Sequence, residues 1–315
     1  MWPSQRLTGT CKLWPDKQSS GPARDRAARA ALVALLSGAL GIAFAPIFVR
    51  LSELGPAATA FYRLAFAVPP LLAWGEIERR RSPSTRRPSG SGDYVGLAVA
   101  GLCFAGDLAV WHWSILFTSV ANSTLLANFA PLFVTLGGWL FLGERFSLTF
   151  LAGMTTALAG AIVLIGEHLT LSGRALAGDG LGLVTAVFYA GYMLAVKRLR
   201  VEFSTVTIMT WSGVVSALAL LPITLLSGEG LIAPSVYGWA VLVGLAWLSH
   251  AGGQSLIAYA LAELPAAFSS VSLLLQPAAA AVLAWIILSE PLTLFQGAGG
   301  LIVLAGIVIA RRGSR

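Results

Sequence analysis

Residues 121–164, ANSTLLANFAPLFVTLGGWLFLGERFSLTFLAGMTTALAGAIVL, superpose without a gap on residues 267–310, AFSSVSLLLQPAAAAVLAWIILSEPLTLFQGAGGLIVLAGIVIA, when the chain is shifted by 146 positions. Pro131 then falls on Pro277, Trp139 on Trp285, Glu144 on Glu290, Gly153 on Gly299 and Gly160 on Gly306. The register reaches back to Ala105 and Gly106, which fall on Ala251 and Gly252. Apolar sequence gives chance matches of Ala and Leu but rarely aligns Pro, Trp and Glu together, so the chain carries an internal repeat.

The repeat is built from apolar runs. Of 315 residues 57% are hydrophobic and 11% charged, where a soluble domain usually carries about 25% charged residues. Runs of about 20 apolar residues, the length a helix needs to cross a bilayer core of about 30 Å, recur along nearly the whole chain. The pattern predicts an all-α integral membrane protein with ten transmembrane helices. The spans are 30–50, 56–75, 94–117, 120–142 and 147–166 in the first half, and 178–197, 205–226, 236–260, 264–288 and 293–311 in the second. Residues 1–27 mix Pro, Ser, Gln and charges without apolar periodicity and read as a disordered basic tail. The expected domains are then 28–168 and 176–312.

The formal net charge is +7, but the Lys and Arg residues lie in the tails and between apolar runs, which argues against nucleic acid as a partner. With both termini in the cytoplasm of a cell whose inner membrane the chain crosses, eighteen of 21 basic residues fall on the cytoplasmic side, as the positive-inside rule requires. Arg50 and Arg174 fall outside and Arg63 within a span. Five crossings per repeat is an odd number, so the second half enters the membrane from the opposite side. The halves are predicted to be inverted, a design that suits alternating access. Cys11 and Cys103 make neither a disulfide framework nor a zinc site.

A mid-helix proline, an acidic residue at the next turn and a glycine-spaced helix, Pro131 to Glu144 to Gly160 and again Pro277 to Glu290 to Gly306, resemble the EamA-type domain of the drug/metabolite transporter superfamily. Arg63 and the stretch Asp107 to Ser114 leading into Ala121 to Pro131 share the likeness. The resemblance covers roughly residues 30–311. It implies export or uptake of small metabolites, commonly amino acids or related solutes, through a cavity lined mainly by helices 1, 3, 4, 6, 8 and 9.

Ionisable groups inside a span are costly and usually face a cavity or the bundle interior. Asp107 is the one carboxylate well inside a span, and Arg63 lies at a similar depth. They either form a fixed ion pair or leave Asp107 free to bind a substrate ammonium or a proton. Trp111, one turn from Asp107, offers an aromatic wall, while His112 points to another side of the helix. His250 and Gln254 are expected to answer Asp107 across the cavity. Asn128, with Thr124 and Thr135, and Gln276, with Ser269 and Ser272, flank the repeat prolines. Each proline frees the carbonyl four residues earlier, near Ala127 and Leu273, for which neighbouring hydroxyls are candidate partners. Tyr189 and Tyr192 are further interior candidates. Glu144 and Glu290 are expected to cap the helix that follows each of them.

No GxxxxGK[ST] loop is present to hydrolyse a nucleotide. No paired carboxylates or histidine cluster support an enzyme, and no cofactor or metal is expected. The expected partners are a small-molecule solute, the lipid bilayer and, if transport is coupled, protons; a monomer and a homodimer both fit. The leading expectation is a secondary transporter of small metabolites, most of all an amino-acid exporter. Proton-coupled multidrug or cation efflux and a non-transport receptor or scaffold are the alternatives.

Overall fold

The computed structural model describes residues 22–82, 84–118, 120–165 and 175–314. Most of the tail, Cys11, Arg174 and the side chain of His112 lie outside the described residues. Ten antiparallel crossings follow one another: α1 (Pro22–Ala43 continued by Ala45–Leu51), α2 (Pro56–Ala65 and Val68–Arg81), α3 (Ser91–Phe117), α4 (Val120–Ala127 and Ala130–Leu142) and α5 (Leu148–Ile165) in the first half. The second half holds α6 (Ala175–Leu199), α7 (Thr205–Leu226), α8 (236–260), α9 (Ala266–Ser272 and Leu275–Leu288) and α10 (Leu294–Gly313).

Nine of these, among the described residues, are long and apolar enough to cross a bilayer. The tenth, α2, is diluted by Arg63 and by Pro69 and Pro70, and its helix breaks between Ala65 and Val68. Helix α1 begins at Pro22, upstream of the boundary expected for a disordered tail. The run Arg24-Asp25-Arg26-Ala27-Ala28-Arg29 is made of good helix formers, with Asp25 in the first turn favoured by the helix dipole. Trp139 and its repeat mate Trp285 are 60% and 53% exposed, as side chains facing lipid would be.

The packing of α5 on α10 proves the repeat in three dimensions. A β-carbon on Gly153 would strike the backbone of Ala310, one on Gly160 that of Val303, one on Gly306 that of Ala157, and one on Gly299 that of Leu164. Leu164 and Ala310 are themselves 146 residues apart, as are Ala157 and Val303. Each contact therefore has its mate with the halves exchanged, the signature of a two-fold axis. As one number rises along α5 its partner falls along α10, so the helices run antiparallel and the halves are inverted. Only glycine lets two backbones come this close.

The hairpins that leave α4 and α9 repeat as well. Gly143 and its mate Ser289 both adopt the left-handed conformation, at φ 67° and 56°. Glu144 N–H then donates to Gly138 O at 2.9 Å and Glu290 N–H to Ala284 O at 3.3 Å, the long bond of a Schellman ending.

Candidate functional site

The helices that meet at the centre are interrupted there. Pro131 and Pro277 lack an N–H, and α4 and α9 both break just before them, at Asn128–Phe129 and Leu273–Leu274. The carbonyl of Leu273, freed by Pro277, accepts from Gln276 N–H at 2.9 Å in a tight turn. The backbone, not a neighbouring hydroxyl, supplies that partner. The Ser269 and Ser272 hydroxyls instead donate to Pro265 O and Phe268 O, one turn back. Helix α8 is π-helical from Leu245 to Gln254, a departure that recurs at functional sites. Gly253 lets α1 approach at this level: a β-carbon on Gly38 would lie 2.7 Å from Gly253 O.

Thr124, Asn128 and Pro131 of α4 and Ser270, Leu274 and Gln276 of α9 line one cavity of about 200 Å³. Thr124 and Ser270 are repeat mates, as are Asn128 and Leu274, so the cavity straddles the two-fold axis and draws the same stretch from each half. Phe104 and His250, also repeat mates, meet with ring centroids 5.3 Å apart and mark the axis again. Ile42 of α1, Arg63 of α2, Asp107 of α3, Tyr189 of α6 and Gln254 of α8 complete the walls. The cavity thus uses α1, α3, α4, α6, α8 and α9, with α2 added through Arg63.

Arg63 and Asp107 face the cavity and lie within each other's field, yet no ion pair joins them among the described residues. The guanidinium carbon of Arg63 lies 6.0 Å from the centroid of the Phe104 ring, and its Nε makes no hydrogen bond. Asn128 turns its amide back onto its own helix, donating to Thr124 O at 2.9 Å. The amide nitrogens of Gln254 and Gln276 are buried; that of Gln276 has no protein partner, and that of Gln254 lies beside the hydroxyls of Tyr189 and Tyr192.

Three candidates sit behind the walls rather than in them. Tyr192 is fully buried, its ring 4.7 Å from that of Phe104 and its hydroxyl directed at Met209 Sδ. His250 is 1% exposed beside Phe104, with both ring nitrogens unpartnered. Trp111 is half-buried, one turn further along α3 than the cavity-lining Leu108. Thr135 is also directed away, its hydroxyl towards Met154 Sδ of α5 at 3.4 Å. Phe104 was not singled out from the sequence, although the 146-residue shift that pairs it with His250 was a signal able to find it.

Glu144 does not cap the helix that follows it. Its carboxylate accepts from Ala266 N–H at 2.8 Å and Ala267 N–H at 3.4 Å, at the start of α9 in the other half. Glu290 forms an ion pair with Arg50 of the first half. The left-handed residue before each glutamate folds the chain back, which turns its carboxylate towards the facing repeat instead of along its own.

The EamA-like transporter family matches residues 29–166 and again residues 176–312. This chain belongs to that family. A probable terminal-alkyne amino-acid exporter of Streptantibioticus cattleyicolor is 31% identical over 283 residues, covering 86% of this chain and 89% of that protein. A transporter of Archaeoglobus fulgidus is 27% identical over 84% of this chain and 91% of its own length. A pseudopaline exporter of Pseudomonas aeruginosa is 27% identical over 68% of this chain and 74% of its own. A crystal structure with 18% sequence identity superposes with a TM-score of 0.74 over 93% of this chain and 98% of that one, a likeness of fold. The EamA-like chain is thus a multi-pass membrane transporter of small molecules, with its cavity at the junction of two tandem family segments.

Proposed function

We propose that this transporter exports amino acids or related zwitterionic solutes by alternating access, across the inner membrane and with both termini in the cytoplasm. One observation carries the reading: a cation, Arg63, and an anion, Asp107, face one cavity on the two-fold axis without pairing with each other. A zwitterion supplies the missing partner to each, its carboxylate to Arg63 and its ammonium to Asp107, in a setting of low dielectric where such hydrogen bonds are strong. Asn128, Gln254 and Gln276 contact the remainder of the solute, while Trp111, Tyr192 and His250 support the walls. Two relatives whose names contain the word exporter support the direction. The placement of Lys and Arg supports the orientation. Asp107 is also the group that would carry a coupling proton.

The test is counterflow of radiolabelled amino acids in proteoliposomes holding the full chain. Asp107→Asn and Arg63→Gln are each expected to cut the flux of a zwitterion by at least about tenfold, the loss of one charge-assisted hydrogen bond. Amines without a carboxylate that move as fast as amino acids, and independently of Arg63, would overturn the reading in favour of cation efflux. Flux that responds to an imposed pH gradient in the wild type and not in Asp107→Asn would establish proton coupling.

A further inference from the structure

We infer that Gln254 and Gln276 set specificity, with their side-chain amides donating to an acceptor-bearing side chain of the solute whose charged head lies between Arg63 and Asp107. The inference rests on the zwitterion reading above and adds the class of side chain. Both glutamines line the cavity with buried amide nitrogens; that of Gln276 has no hydrogen bond to protein, while that of Gln254 lies beside the hydroxyls of Tyr189 and Tyr192 and keeps at least one N–H for a solute. A buried donor left unpaired is unfavourable, more so where no water surrounds the helix, so an amide retained there has a use other than filling space.

The repeat supplies an internal control. Gln254 stands where the first half has Leu108, and Gln276 where it has Ala130. The fold accepts an apolar residue at both places, so the amides are additions of the second half. The charges show the reverse: Asp107 stands where the second half has Gly253. Polarity is therefore divided between the halves of the sequence, with ionic groups from α2 and α3 of the first and amide donors from α8 and α9 of the second, all on one cavity. Asn128 commits one of its two amide N–H groups to Thr124 O, which fixes that amide against its own helix. In a cavity of about 200 Å³, a zwitterion with its head at Arg63 and Asp107 has its side chain within reach of the two glutamines. An amide, carboxylate or hydroxyl there accepts from them; an aliphatic chain leaves the Gln276 donor unpaired and offers Gln254 nothing beyond its tyrosines.

Asparagine and leucine are nearly the same shape and differ in whether that end accepts a hydrogen bond, so they make the test. In proteoliposomes of the full-length wild type, asparagine is expected to compete for counterflow at least about tenfold better than leucine. Gln254→Leu and Gln276→Ala, which install the residues of the opposite half, are expected to bring that ratio close to one, with a wild-type melting temperature in detergent as proof of a folded protein. Leucine competing as well as asparagine with the wild type overturns the inference while leaving the zwitterion reading intact, as does a ratio unchanged in both variants. Transport of neither amino acid, in liposomes that do carry simple amines, overturns the zwitterion reading and the inference with it.

Discussion

The hairpins 143–147 and 289–293 are one piece of sequence placed twice, and they hold their glutamates differently. Both follow a helix that ends in a left-handed residue, and both aim a carboxylate at the other half of the molecule. Glu144, 8% exposed, takes two backbone amides at the start of α9, while Lys197 secures the same end by donating to Leu264 O at 2.9 Å. Glu290, with its side chain 38% exposed, takes the Arg50 guanidinium instead. Two positions equivalent by sequence thus differ in burial and in partner. The more buried of the two glutamates lies at the end of the molecule that carries Arg79–Arg81, Arg145 and Lys197–Arg200. Its bonds hold the half-helix Ala266–Ser272, whose Ser270 lines the cavity.

Removing Glu144 should have the largest effect. Glu144→Ala leaves two amides at the start of α9 without their acceptor, at a cost of about 1–3 kcal/mol each. Amide hydrogen exchange at 266–274 should quicken and counterflow should fall by about tenfold or more; exchange at wild-type rates there would show the capping bond to be dispensable. Glu144→Gln, which keeps one acceptor, should recover part of both. Next comes Gly143→Val, which forces a β-branched residue into a left-handed turn at a cost of about 1–2 kcal/mol, read as a lower melting temperature in detergent. The mirror experiment, Ser289→Gly, should stabilise by up to about 1 kcal/mol with transport unchanged, because the second half already carries the strain that glycine relieves. A loss of stability on that change would mean the serine side chain holds its hairpin. Glu290→Ala should have the smallest effect on stability, below about 1 kcal/mol and further reduced by salt, as for an exposed ion pair. Should Glu290→Ala instead destabilise as much as Glu144→Ala, the two ends would be equivalent and the comparison broken.

The fold was largely legible in the sequence because each of its determinants is local or periodic. Apolar run length gave the crossings, the 146-residue shift gave the repeat, and the odd number of crossings gave the inversion. Where reading failed, the cause was a partner distant in sequence. The aim of Glu144 at Ala266 spans both halves, and no spacing near residue 144 announces it. The start of α1 at Pro22 was hidden because its first turns are charged, a composition shared by tails and by helix ends.

The candidate site divides along the same line. Arg63, Asp107, Asn128, Gln254 and Gln276 stood out because polar groups within apolar spans are few. Sequence alone therefore determined which side chains were available, how deep they lie, and that two copies of one stretch would face each other. Only the tertiary structure decided that Arg63 and Asp107 share a wall without pairing, and that His250 and Tyr192 back onto Phe104 rather than the cavity. It alone showed Asn128 bonded to its own helix, Gln254 beside the Tyr189 and Tyr192 hydroxyls and Gln276 left with a free donor. Helical periodicity fixes the direction of a side chain relative to its own axis; the rotation and separation of neighbouring helices, set here by glycine contacts and proline breaks, fix what it meets.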